Sequence, residues 1–141
     1  MKVPGIDGRK MSKSYDNTIP IFAPENKLRK RVMRIVTDSK RPEDPKDPED
    51  DTLFALLRFF ASPDRLEEIH NLYLNGGAAY GTLKKELAEL ILNHFGDARQ
   101  RFSDLIEDKA YLDQVLMEGV NKAREMGKAY LRAARTATGI D

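Results

Sequence analysis

The sequence predicts an all-α fold, a small antiparallel helical bundle, and three observations carry that prediction. From Asp51 onwards apolar residues recur at three- and four-residue spacing with little interruption. Helix start and stop signals punctuate the pattern: Ser62-Pro63-Asp64 supplies an N-cap, a proline at the first helical position and an acid in the first turn, and Gly76-Gly77 supplies a stop. The chain is 141 residues long, enough for one core, since domains typically run to about 100–150 residues.

The elements follow in order. Residues 1–23 hold turn-formers and a short extended run, Ile19, Ile21 and Phe22. Pro24 opens a helix in which Leu28, Val32, Ile35 and Val36 form one apolar stripe, with an expected end near Asp38. Lys27, Lys30, Arg31 and Arg34 share the opposite face, which fits either contact with backbone phosphates or a solvated helix surface. Residues 38–51 carry Pro42, Pro45 and Pro48 at every third position among acids, which excludes helix and central strand. A disordered linker and a segment lying against the surface both fit that composition. Leu53 to Phe60 is apolar nearly all round, as in a helix buried on most sides. After the helix capped by Ser62, Thr82 is placed to cap another, with Leu83, Leu87, Leu90, Ile91 and Phe95 on one face. That pattern continues through Ala98, Phe102, Leu105 and Ile106, so the helix is expected to cross Gly96 at a cost of about 1 kcal/mol relative to alanine. A last helix, about 109–136, is expected to bury Leu112, Leu116, Gly119, Ala123, Met126 and Leu131.

Composition narrows the function classes. With no cysteine there is neither a disulfide framework nor a thiolate metal site, which suits a reducing cytoplasm. The longest apolar stretch, Leu53 to Ala61, is interrupted by Arg58 and falls far short of the ~20 residues of a membrane span. The net charge of +1 hides a segregation: residues 1–41 carry eleven Lys/Arg against four Asp/Glu, and residues 42–68 carry three against nine. A local positive field of this kind attracts polyanions whatever the total charge. His70 and His94 have neither cysteine nor spaced carboxylate partners, which favours surface or core-edge roles over metal binding.

The most specific string is Lys10-Met11-Ser12-Lys13-Ser14, directly after the turn-prone Asp7-Gly8-Arg9. Two mobile ammonium groups three positions apart, with hydroxyls between and after them, suit a loop that closes on a polyphosphate. A solvated lysine–serine turn is the other reading of the string alone. It is not a Walker-type loop, because the glycine spacing of that motif is absent.

Val3-Pro4-Gly5-Ile6-Asp7-Gly8-Arg9, the five-residue string, and Tyr15-Asp16-Asn17-Thr18-Ile19-Pro20-Ile21-Phe22 together resemble the end of the catalytic domain in a class I aminoacyl-tRNA synthetase, the KMSKS loop. Thr37-Asp38-Ser39, Pro45-Lys46-Asp47-Pro48, Tyr80-Gly81-Thr82-Leu83-Lys84-Lys85 and the block from Tyr111 to Gly119 resemble the bacterial tryptophanyl-tRNA synthetase family. The related tyrosyl enzymes usually carry another variant of the loop and lack the Thr-Asp-Ser and Pro-Lys-Asp-Pro continuation.

The resemblance covers essentially the whole sequence and implies a C-terminal piece of a larger ligase. Its regions would be 1–23, a remnant of a Rossmann-type α/β catalytic domain; 24–51, a basic helix and Pro/acid-rich connector; and 52–141, a helical tRNA-binding domain that reads the anticodon. The whole enzyme would form tryptophanyl-adenylate and pyrophosphate from tryptophan and ATP, with Mg2+ on the phosphates, and then charge tRNA(Trp). Lys13, then Lys10, would stabilise the departing pyrophosphate; Ser12 and Ser14 would bind phosphate or hold the loop closed; Met11 would pack the loop on its own domain. Relatives in the family are homodimers whose contacts lie mainly in the preceding domain, and the piece alone would be inactive. Two other functions fit the residues: a non-catalytic RNA-binding helical module, and a helical interaction protein using its basic and acidic halves.

Overall fold

The computed structural model describes residues 3–140, so Met1, Lys2 and Asp141, at the ends of the expected regions, lie outside the described residues. Among the described residues there are six α-helices: α1 (Glu25–Val32), α2 (Thr52–Leu57), α3 (Pro63–Asn75), α4 (Tyr80–His94), α5 (Gly96–Glu107) and α6 (Lys109–Thr138). Among the described residues there is no strand, and one antiparallel bridge pairs Pro4 with Lys10. The fold is all-α, as the periodicity predicts. None of the helices among the described residues is long and apolar enough to cross a membrane.

The chain forms two compact units, Met1–Arg99 and Gln100–Asp141, and the division falls within α5. The core of the first unit gathers Leu28 and Val32 of α1, Leu53, Phe54 and Leu57 of α2, Ile69 and Tyr73 of α3, and Leu87 and Ile91 of α4. Capping explains the element bounds. The Asp51 side chain accepts the Phe54 N–H and opens α2, and the Ser62 hydroxyl accepts the Arg65 N–H and opens α3. Gly76 ends α3 with φ +83°, and a Cβ there would strike the carbonyl oxygen of Glu43, so only glycine fits.

Several bounds differ from expectation. Helix α1 stops at Val32 rather than near Asp38, because the chain turns at Met33 and the Val36 N–H donates to the Ile6 carbonyl at 2.7 Å. Ile35 stays buried outside any helix, while Val36 is exposed. Ala79, not Thr82, is the N-cap residue of α4, which already includes Thr82. The expected continuous helix breaks at Phe95, whose φ of −102° and ψ of 13° are non-helical, and Gly96 begins α5.

The connector packs within the first unit, against α3. Lys46 is buried; its ammonium donates to the carbonyls of Arg41, Asp44 and Pro42, and its N–H donates to the Tyr73 carbonyl at 2.7 Å. These bonds give a buried cation three acceptors, the condition for its tolerance.

In the second unit, α6 is capped by Asp108, whose side chain accepts the Tyr111 N–H, and ends at Gly139 with φ +68°. No residue of α6 is buried. Leu116, Met126 and Leu131, expected to face inwards, are 66%, 74% and 62% exposed. The amphipathic spacing is real, but it does not produce burial.

Candidate phosphate-binding loop

The lysine–serine string is the turn of a tight loop whose two arms are tied together by main-chain bonds. The Met11 N–H donates to the Val3 carbonyl at 2.9 Å, and the Gly5 N–H donates to the Arg9 carbonyl at 2.7 Å. Within the string, Lys13–Tyr15 forms one turn of 3-10 helix. Ser12 caps it: its hydroxyl accepts the Ser14 N–H at 3.3 Å. Asp16 closes the turn in the left-handed region with φ +47°. That conformation is uncommon outside glycine, and Arg31 supports it, donating to the Asp16 carbonyl and carboxylate and to the Thr18 carbonyl.

Sequence reasoning groups Arg31 with Lys27, Lys30 and Arg34 as one basic face. The structure instead commits Arg31 to the loop, which leaves Lys27, Lys30 and Arg34 exposed. The resemblance implies that Met11 packs the loop on the catalytic domain; in the structure it also has partners within this unit. Ile6 and Met11 pack on the helical core of this unit, and Met11 and Val3 help line an apolar pocket of about 330 Å³ with Ile19, Phe60 and Phe95.

The five string residues therefore divide by role. Met11 anchors, and Ser12 organises the backbone. Lys10, Lys13 and Ser14 are exposed, and among the described residues no hydrogen bond or ion pair engages either ammonium group. Two uncommitted cations on a hydrogen-bonded backbone can receive a polyanion without first breaking an internal pair. Across the loop, Arg9 pairs with Asp7 at 2.7 Å and lies over the Tyr15 ring at 4.8 Å. The hydrogen bond from Asn17, helped by Arg9, holds the Asp7 carboxyl below its ordinary range.

The residue that sequence reasoning missed is Asn17. It is 1% exposed, and its side chain touches three parts of the loop. Asn17 falls inside the Tyr15 to Phe22 block that carries the resemblance, but no spacing rule separates it there from its neighbours.

The histidines sit where expected, at the edge of the core. His70 lies 5.8 Å from the Phe54 ring, and His94 packs against Phe60 and Phe95. Among the described residues no group of three or more His, Asp or Glu side chains is placed to hold a metal ion.

No family model matches the chain. Individual relatives do. The tryptophan–tRNA ligase of Rhodopirellula baltica is 46% identical over 139 residues, covering 99% of this chain and 43% of the relative. That of Pseudomonas aeruginosa is 42% identical over 138 residues, 98% of this chain and 31% of the relative. The crystal structure of the Campylobacter jejuni tryptophanyl-tRNA synthetase, complexed with ADP and tryptophan, superposes with a TM-score of 0.87 at 38% identity, over 99% of this chain and 44% of that one. The chain matches the C-terminal part of bacterial tryptophanyl-tRNA synthetases. It spans less than half the length of the synthetases with which it aligns. Both the sequence match and the superposition run through the lysine–serine loop, the connector and the helices, so the synthetase resemblance carried by the short blocks extends to the fold.

Proposed function

We propose that this chain is the C-terminal portion of a tryptophan–tRNA ligase and supplies its pyrophosphate-stabilising loop and its tRNA-binding helices. The single observation that carries this reading is the pairing of a hydrogen-bonded loop backbone with two ammonium groups, on Lys10 and Lys13, that nothing else engages among the described residues.

In the first half-reaction the tryptophan carboxylate attacks the α-phosphate of ATP, and the bond to the β-phosphate breaks. Negative charge accumulates on the leaving pyrophosphate as it separates. A cation placed where that charge develops lowers the barrier more than it tightens ground-state binding, and only that difference raises the rate. Lys13 is the principal contact and Lys10 the second. Ser14 offers its exposed hydroxyl to a phosphate oxygen, whereas Ser12 serves the loop. Mg2+ enters with the phosphates, as part of the substrate. No proton transfer is asked of these residues, because the chemistry is positioning and electrostatics.

In the second half-reaction the aminoacyl group passes to a ribose hydroxyl of tRNA(Trp). The helical region from residue 52 holds that tRNA, and the exposed Lys27, Lys30 and Arg34 of the α1 region suit its backbone phosphates. The reaction belongs to the whole enzyme, in the cytoplasm, and tryptophan is held by the preceding part of it.

The test uses two proteins: this 141-residue chain alone, and a chimera in which it replaces the matching segment of the Rhodopirellula ligase. Tryptophan-dependent exchange of labelled pyrophosphate into ATP is expected from the chimera and not from the chain alone. Exchange by the isolated chain, or a folded chimera that binds tryptophan and ATP yet exchanges nothing, contradicts the reading.

A further inference from the structure

Asn17 has no part in the chemistry above: it carries no charge and follows the last serine of the loop by three positions. Yet its side chain ties together three separate parts of the loop. Its Oδ1 accepts the Ser12 N–H at 2.7 Å. Its Nδ2 donates to Asp7 Oδ1 at 2.8 Å and to the Lys10 carbonyl at 3.1 Å. Its own carbonyl accepts the Ile6 N–H at 2.9 Å. The side chain is thus fixed to the arm before the motif, to the first lysine's own peptide and to the residue that caps the turn of the second lysine. Gly5 lies so close that a Cβ would overlap the Asn17 amide, which leaves the amide no alternative position on that side.

We infer that Asn17 is a positioning residue, which sets where the Lys10 and Lys13 ammonium groups are presented by clamping the backbone from which both extend. This inference rests on the pyrophosphate reading of the loop. The lever is direct. The Lys10 carbonyl belongs to the residue that bears the first ammonium, and the Ser12 N–H precedes the peptide that begins the turn at Lys13. A misplacement of about 1 Å in a reacting or stabilising group is enough to cost on the order of a hundredfold in rate, so a clamp on the peptides governs function without touching the ligand.

The hydrogen-bond polarity supplies a test that a space-filling role would not answer. Asn17→Ala removes all three side-chain bonds without changing the charge. Asn17→Asp keeps the shape and the acceptor for Ser12, but sets a carboxylate against the Asp7 carboxylate. Asp7→Asn combined with Asn17→Asp restores a donor–acceptor pair with its direction reversed, at the original net charge. In that double variant the amide at position 7 can donate to the carboxylate at position 17 and accept from the Arg9 guanidinium, while the bond to the Lys10 carbonyl stays lost.

Inorganic pyrophosphate is titrated into the 141-residue chain and its variants, with the backbone amides of Lys10 to Ser14 as the readout. Amide exchange at Ser12 and at core residues Leu87 and Ile91 is recorded in parallel. For Asn17→Ala and Asn17→Asp, pyrophosphate affinity is expected to fall about tenfold or more with the core amides unchanged, and Ser12 exchange is expected to quicken by a similar factor in Asn17→Ala, which alone removes its acceptor. The reversed pair is expected to bind more tightly than Asn17→Asp but below the parent chain, because the bond to position 7 returns and the bond to the Lys10 carbonyl does not. The inference is overturned if Asn17→Ala binds pyrophosphate as the parent does, or if its Ser12 amide stays protected. A parent chain that does not bind pyrophosphate overturns the reading of the loop itself, and the Ser12 exchange then still decides whether Asn17 holds the backbone.

Discussion

Replacing Tyr73 by phenylalanine isolates one hydrogen bond at the centre of the first unit. Tyr73 is fully buried, with its ring 5.2 Å from that of Phe54 and 6.3 Å from that of Tyr80. Its hydroxyl donates to Asp51 Oδ1 at 3.0 Å, the oxygen that also caps α2 by accepting the Phe54 N–H at 2.8 Å. The substitution keeps the ring and removes the donor. Hydrogen bonds to charged groups contribute about 1.5–3 kcal/mol, and because Asp51 keeps its capping bond and some solvent contact, the lower end applies, about 1.5 kcal/mol. For a unit of this size that corresponds to a fall in Tm on the order of 8 °C. Tyr73→Ala removes the ring as well and is expected to cost about 3–5 kcal/mol. The pair of variants separates the bond from the packing.

The same tyrosine adds a pH signature. Burial, with the Asp51 carboxylate beside it, pushes the phenol well above its ordinary value in the folded state. The neutral phenol is therefore favoured by folding. Its contribution is complete below the unfolded pKa near 10 and is lost as pH rises beyond it. Urea unfolding followed by helical circular dichroism at about pH 7 and above about pH 10 reads both effects. Tyr73→Phe should lower stability at neutral pH and flatten the alkaline loss. A variant within about 0.5 kcal/mol of the parent at neutral pH, with an unchanged alkaline slope, refutes the reasoning.

Two other changes follow from the same geometry. Gly76→Ala forces a side chain into a glycine-only backbone region and against the Glu43 carbonyl, so a loss of about 2 kcal/mol or more is expected in the same unfolding assay. The Glu86 carboxyl is held below its ordinary range by the Arg65 guanidinium at 2.7 Å, so its contribution is present above the unfolded pKa near 4.3 and lost on acidification. Arg65 is 38% exposed, so screening keeps the pair below about 1 kcal/mol, and Glu86→Gln should shift stability slightly at neutral pH and converge with the parent as the pH falls through the lowered Glu86 pKa.

What can be read from the sequence is what local chemistry decides. Ser62-Pro63 and Gly76 mark α3 correctly because a cap and a positive-φ stop are written in a few adjacent residues. The end of α1 is not legible, since Ile35 continues the apolar spacing and is buried, but by a turn stitched to Ile6 rather than by helix. Gly96 draws attention as the weak point of a long helix, while the break sits one residue earlier at Phe95. Nothing in the sequence marks Lys46 for burial, which depends on three carbonyls that the connector's path brings together. The five-residue loop motif is conspicuous for its composition, whereas the asparagine holding it depends on contacts from Ile6 to Ser12 that no spacing rule encodes. In α6 the amphipathic stripe is visible, but periodicity specifies a face and not what covers it.

The most direct test of the pyrophosphate role is Lys13→Ala in the chimeric ligase, with adenylate formation and substrate binding separated by pre-steady-state kinetics. Removing a contact that meets charge only as pyrophosphate departs should cost about 3–4 kcal/mol, roughly a hundred- to thousandfold fall in the rate of adenylate formation, with tryptophan affinity nearly unchanged. Lys10→Ala should fall less, and Ser14→Ala less again. If Lys13→Ala instead raises the dissociation constant for ATP and leaves the chemical rate untouched, Lys13 binds ground state and transition state alike, and the role assigned to the loop is wrong.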